Sequence, residues 1–465
     1  MIKILPHEKV DVLSKYRDII QDLDTIKHTG RVERVVGLVI ESIGPDVEYG
    51  ELCRIRLDQG EYLYAEVVGF NKNRVMLMPV GEMKGIVPGA EVIAAGTALM
   101  VPVGDELLGR VISGMGAPMD GRGEIFTKER YPVTSRPVNP LDRTMIDTPL
   151  SVGIRAIDGL NTVGRGQRIG IFSGSGVGKS TLIAMIARYT DADVNVVALI
   201  GERGREVKDF VERELGPEGM KKTVVVVATS NQPAMLRIRG AYLAHAIAEY
   251  FRDRGMHVNL LMDSITRFSM AQREVGIAAG EPSSMRGYPP STFSMMARLM
   301  ERAGTSRNGS ITGFYSVLVE ADDMNEPIAD HARSILDGHV VLERKLAHRG
   351  HYPAVDVLQS ISRCMKDVVT PEHAEAANKF RELLAAYAEH EDEISLGAYA
   401  RGSVPAVDRA IEMMDTINAF LRQGIYERDR YDSIVKRLIE MFAERRAAPR
   451  PDIVTRTPAF ARIVR

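Results

Sequence analysis

The chain has 465 residues, 45% of them hydrophobic and 26% charged, with a formal net charge of −2. A single core stops growing at roughly 250–300 residues, so two or three domains are expected. The near-neutral balance offers no global electrostatic reason to bind nucleic acid or an anionic membrane.

Two cysteines, Cys53 and Cys364, stand far apart and in no metal-ligand spacing, which argues against a disulfide framework and for a reducing compartment. No apolar run reaches the roughly 18 residues of a membrane span. The opening MIKILPHEKVDVL carries charges where a secretory segment is apolar. A cytoplasmic protein is expected.

Residues 5–27 predict an amphipathic helix: Leu13, Tyr16, Ile20 and Leu23 recur at spacings of three and four, with Ile19 and Ile26 widening the stripe. It either packs on its own domain or serves as a handle for a partner. Its position at the chain end favours the handle. Over residues 29–97, β-branched runs at 31–40, 52–57, 62–70 and 74–79 alternate with Gly, Pro, Asn and Asp turns, which predicts a small antiparallel barrel or sandwich. The stretch 85–135 is rich in Gly and Pro and reads as an irregular bridge. From Gly164, apolar runs at 167–172, 194–200, 223–228, 258–262 and 310–319 enclose helical stretches such as 182–189 and 233–253. That alternation predicts a mostly parallel sheet with helices on both faces. After about Val368 the strand signal stops, and 371–390, 406–423 and 426–446 read as a helical domain followed by a basic tail, 448–465. The expected divisions are 1–28, 29–97, 98–368 and 369–465.

The sharpest local signal is SGSGVGKST, residues 173–181, between an apolar strand and the helical LIAMIARY. A phosphate-binding loop needs this placement, because glycines let successive N–H groups surround phosphate oxygens at a helix N-terminus. Gly174, Ser175, Gly176, Val177, Gly178, Lys179, Ser180 and Thr181 are therefore the expected nucleotide-binding run, with ATP and Mg²⁺ as its ligands. Lys179 reaches the β- and γ-phosphates and Ser180 gives its hydroxyl to the metal. The first position of the strict pattern holds Ser173 instead of Gly. Asp263 ends the apolar run 257–263, so a strand delivers a carboxylate to the sheet edge where ligands collect; it is the expected Mg²⁺-organising acid. Glu202, just past the run 194–200, is the expected group to polarise the attacking water. A surface ion pair is the plainer reading of Glu202 and Arg203, but the end of a buried strand weighs against it. Phosphoryl transfer also calls for an added positive charge, and Arg363 is the candidate.

Together GSGVGKST (174–181), LIGERGREVKDF (199–210), LLMDSITRFSMAQRE (260–274), GEPSSMRGYPPSTF (280–293), ILDGHVVLERKLA (335–347) and YPAVDVLQSISR (352–363) resemble the rotary ATPase α/β family. Within it they are similar to the flagellar and type III secretion export ATPases. The fold this implies is α/β, a RecA-like P-loop ATPase core with a small N-terminal β-barrel and a C-terminal α-helical domain. The resemblance makes Lys179, Glu202, Arg203, Asp263 and Arg363 the catalytic set, with Arg363 reaching a neighbour's nucleotide. It makes Tyr352 the aromatic that packs on adenine, where a plain core tyrosine is the alternative. Ile425 or Tyr426 stands where the family places a second aromatic. The loop 279–290, with Glu281, Arg286 and Tyr288, would face a central channel. The partners implied are five further copies in a homohexamer, a regulatory or docking protein at the N-terminal helix, and a coiled-coil stalk protein in the pore. Export chaperone–substrate complexes and an inner-membrane export gate, met peripherally, complete the set; no nucleic acid is implied. The competing readings are a virulence-type secretion ATPase, a non-catalytic ring subunit, against which Glu202 argues, and an RNA-translocating ring. SGSGVGKSTLIAMIARYT favours the flagellar form.

Overall fold

The computed structural model describes residues 29–58, 60–96, 100–135, 137–319 and 323–443. The helix expected over 5–27 and the tail 448–465 lie outside these residues.

Six antiparallel strands, Thr29–Val36, Val39–Ile43, Leu52–Arg56, Tyr62–Asn71, Arg74–Pro79 and Glu91–Ala94, close into a barrel in the order first, second, fifth, fourth, third, sixth. Closure leaves no exposed sheet edge, and alternate residues such as Leu63, Ala65 and Val67 fill the interior with Val32, Ile40, Cys53, Ile55 and Leu77. The run 31–40 is a hairpin rather than one strand. Gly37 takes φ 59° at its tip, and Val36 pairs with Val39. A two-residue hairpin needs that positive φ, and one glycine inside a β-branched run is a faint signal of it.

The second unit is built on a nine-stranded sheet. Across it run Val355–Ser362, Gly338–Leu342, Arg168–Ser173, Ser310–Leu318, His257–Asp263, Val194–Ile200, Thr223–Ala228 and Val111–Ser113, with Gly304–Thr305 beside Ser310–Leu318. All neighbours are parallel except Gly304–Thr305 and the edge strand Val355–Ser362. Every residue of Val194–Ile200 and Thr223–Ala228 is buried, as expected of strands covered on both faces. Val196, Ala198 and Ile200 face the helices Ala234–Asp253 and Ile265–Ala278, while Val197 and Leu199 face the helix Lys179–Tyr189.

The stretch read as an irregular bridge contributes Val111–Ser113 to the sheet, parallel to Thr223–Ala228. Arg110, next to it, pairs with Asp120 at 2.6 Å; the pairing with a strand more than a hundred residues away is what periodicity over three residues does not reveal. An ion pair from Arg239 to Glu66, at 2.5 Å, joins the sheet unit to the barrel. The C-terminal helices Pro371–Glu389, Pro405–Leu421 and Tyr431–Phe442 pack around Phe380, whose ring lies 5.6 Å from Phe420 and 6.4 Å from Phe442.

Candidate active site

Strand Arg168–Ser173 runs buried into the loop, and helix Lys179–Tyr189 leaves it. Gly176 and Gly178 adopt φ 78° and 93°, a region open to glycine and costly for other residues. The loop lines a cavity of about 400 Å³ together with Lys179, Ser180, Thr181, Glu202 and Arg267. The expected nucleotide-binding run thus converges on one space except for Val177, whose side chain is buried in the hydrophobic core beneath the loop. Ser173 does not disturb it: the side chain is buried behind the loop and its carbonyl accepts Val319 N at 2.9 Å.

Parallel pairing sets Asp263 beside Leu199, so both site carboxylates emerge at the same sheet edge. Lys179 Nζ lies 2.5 Å from Asp263 Oδ1 and 3.8 Å from Glu202 Oε1. The fully buried Ser316, on the adjoining strand, donates its hydroxyl to the same Asp263 Oδ1 at 2.6 Å. Burial works against the Lys179 ammonium, but Asp263 and Glu202 hold it above its ordinary value. Burial, and then the charge of Asp263, push the Glu202 carboxyl up to about 7, with Lys179 opposing. A carboxyl poised near neutrality is suited to exchange a proton with water.

Gly201 makes the turn into Glu202 at φ 74°. A Cβ there would lie 2.7 Å from Arg267 Cβ, so the arginine stem packs directly on the glycine. Arg267 and Glu206 both line the cavity, and neither was picked out by sequence reasoning. The available signal was position: each follows a strand-end carboxylate by four residues, at the start of the next helix. Arg203 reaches the cavity rim, mostly exposed, with Glu206 at 3.5 Å.

Tyr352 is half exposed, and its ring lies 3.7 Å from where a Cβ on Gly178 would sit, flanking the loop. Its carbonyl accepts Gln423 N at 2.9 Å. Gln423 is buried and its side chain also donates to Gly153 O and Glu427 O, both at 2.8 Å, and accepts Arg155 N at 2.9 Å. Tyr426 stands 5.1 Å from the Arg188 guanidinium, and the Ile425 carbonyl accepts from Arg188 and Tyr189.

Arg363 is exposed and is not among the residues lining this chain's own cavity. In the loop 279–290, Tyr288 is buried, with the Arg273 guanidinium 5.2 Å from its ring. Glu281 accepts from Ser291 N at 2.9 Å, at the start of helix Pro290–Met300, and Arg286 pairs with Asp323 at 3.2 Å. Of the three side chains expected to face a channel, Tyr288 therefore packs into its own chain; a large aromatic next to apolar Phe293 gains more from burial than from water.

A phosphate cradle, a lysine between two strand-end carboxylates and a flanking aromatic define a P-loop ATPase site. The chain matches the ATP synthase alpha/beta family, nucleotide-binding domain, over residues 153–362 and its beta-barrel domain over 32–96. The T3SS EscN ATPase C-terminal domain matches over 369–440. It is 54% identical over 414 residues to the flagellum-specific ATP synthase of Bacillus subtilis, covering 88% of this chain and 94% of that one. To the type 3 secretion system ATPase of Xanthomonas euvesicatoria it is 48% identical over 410 residues, covering 88% and 93%. The assembled ATPase EscN of enteropathogenic E. coli superposes with a TM-score of 0.84 at 43% identity, covering 89% of this chain and 99% of that one. In complex with its central stalk EscO the score is 0.82 at 42% identity, with the same coverage. This chain belongs to the ATP synthase alpha/beta family, in its type III secretion branch, and is an ATPase. Among the described residues no helix is long and apolar enough to cross a membrane.

Proposed function

We propose that this ATPase energises protein export through a flagellar type III apparatus, releasing substrates from their chaperones. The observation that carries the reading is Lys179 held between Asp263 and Glu202, on a chain 54% identical to a relative named flagellum-specific ATP synthase. Gly174–Thr181 cradle the phosphates, Glu202 polarises the attacking water, Arg203 supports it, and Tyr352 packs on the adenine. Ser180 and Asp263 would hold Mg²⁺ with its waters. Ser180 lines the cavity beside Lys179, which in turn touches Asp263; one hydroxyl and one carboxylate suit an ion that keeps several waters and binds through few protein oxygens plus substrate phosphates. That ion, when bound, neutralises charge on the transferring phosphoryl group.

The chain works as a homohexamer in which Arg363 enters the neighbour's site. The assembled state of EscN, and its complex with a central stalk, support a ring around a coiled-coil partner. Residues 1–28 dock a regulatory protein and bring the ring peripherally to a membrane export gate. Deletion of the gene tests the flagellar reading: motility is lost while delivery of effectors into host cells persists. The reverse outcome would assign the chain to a virulence-type system, a reading supported by 48% identity to a type 3 secretion system ATPase.

A further inference from the structure

At the start of strand Arg168–Ser173, opposite the end that carries the cradle, Gln167 is fully buried and its amide is completely used. The oxygen accepts Gly164 N at 2.9 Å; the nitrogen donates to Asp337 O at 2.9 Å and to Ser362 Oγ at 3.1 Å. Ser362 passes its own proton on to Thr162 O at 2.7 Å. Asp337 O is shared, because it also accepts Arg363 N at 3.0 Å. The Asp337 carboxylate is fixed in turn by Arg168, through N at 3.0 Å and Nε at 3.1 Å. One buried side chain thus holds both the residue before Arg363 and the carbonyl that anchors the Arg363 backbone.

We propose that Gln167 is a positioning residue for Arg363, setting the direction in which the guanidinium leaves this chain and so governing the neighbouring subunit's turnover rather than its own. The proposal rests on the reading of Arg363 as a group supplied in trans. A long exposed arginine cannot be preorganised by its own tip, so its aim depends on how firmly its backbone is held. Gln167 is poorly placed to act on its own cradle, which begins a strand of six residues away, about 20 Å at the usual rise per residue.

Mixed rings separate the two routes. Full-length Gln167→Ala is expected to lose ATP turnover by about ten- to a hundredfold, the usual effect of a misplaced reacting group, with nucleotide binding to its own cradle unchanged. Lys179→Ala is inactive but keeps its Arg363 anchor. Combined, the two chains should regain activity, because Lys179→Ala subunits offer a well-aimed Arg363 to intact Gln167→Ala cradles. Arg363→Ala mixed with Lys179→Ala is the control. Recovery in the control but not with Gln167→Ala would overturn the proposal, as would full activity of Gln167→Ala alone. No recovery in the control would instead remove the in-trans reading itself. Should Gln167→Ala not fold, Ser362→Ala takes its place in the same mixture, with the same outcomes.

Discussion

Lys179 Nζ rests 2.5 Å from Asp263 Oδ1, so a carboxylate holds the cation that a P-loop aims at phosphates. Phosphate oxygens of a nucleotide would share this ammonium with Asp263 or compete for it. Replacing Lys179 with Ala removes the cation that lies between Asp263 and Glu202. Glu202 can respond by taking up a proton, which limits the lost stability to about 1–3 kcal/mol. Fluorescent-nucleotide titration should show binding lost, and thermal melts should show a lower midpoint at pH 8. An unchanged midpoint would mean that the lysine does not offset the acids.

Glu202→Gln should keep nucleotide binding and lower turnover by orders of magnitude. The wild-type carboxyl is held at about 7, against 4.5 for an ordinary glutamate, so the native state binds this proton more tightly than the unfolded chain. The stabilisation from this group is complete below about pH 4.5 and is lost as pH rises through 7. Gln carries no such dependence. Melting curves from pH 5 to 8 should show the variant gaining on the wild type as pH rises. In kinetics, kcat/KM of the wild type should fall below about pH 7 as the base becomes protonated.

Tyr352 flanks the loop by its ring and not by its hydroxyl. Tyr352→Phe should behave as wild type, whereas Tyr352→Ala should raise KM for ATP by about tenfold, the loss of roughly 1–1.5 kcal/mol of aromatic contact, with kcat little altered. Equal effects of Phe and Ala would place the function in the hydroxyl and refute stacking on the base.

Gly201→Ala combines a backbone at φ 74° with a Cβ 2.7 Å from Arg267 Cβ. A non-glycine residue in that region costs about 1–3 kcal/mol, and relief of the contact moves Arg267 or Glu202. Both the melting midpoint and turnover should fall. Loss of stability with normal turnover would show that Arg267 can shift freely.

The cradle was legible because glycine chemistry is local: SGSGVGKST, its strand and its helix lie in one stretch of chain. Asp263 and Glu202 were legible because a parallel sheet brings strand ends to one edge, which makes "just past an apolar run" a spatial statement. What escaped depended on distant partners. Val111–Ser113 takes its place from pairing with Thr223–Ala228, and Arg267 reaches the cavity only because Gly201 leaves room for its stem. Tyr288 was read as facing a channel, but one-chain packing against Phe293 and Arg273 decides its position. The split at Gly37 was hidden by β-branched residues on both sides.

Gln423 ties Tyr352, Gly153, Arg155 and Glu427 into one knot. The wall against which a base would lie is thus hung from the end of helix Pro405–Leu421 as much as from the sheet. A load applied to the C-terminal helices would be passed through Gln423 to Tyr352, whose ring flanks the loop at Gly178. On the proposed reading of Tyr352 the helical domain is a lever with two short arms, one ending at that ring and one, through the Ile425 carbonyl, at Arg188 and Tyr189 on the helix that begins at Lys179.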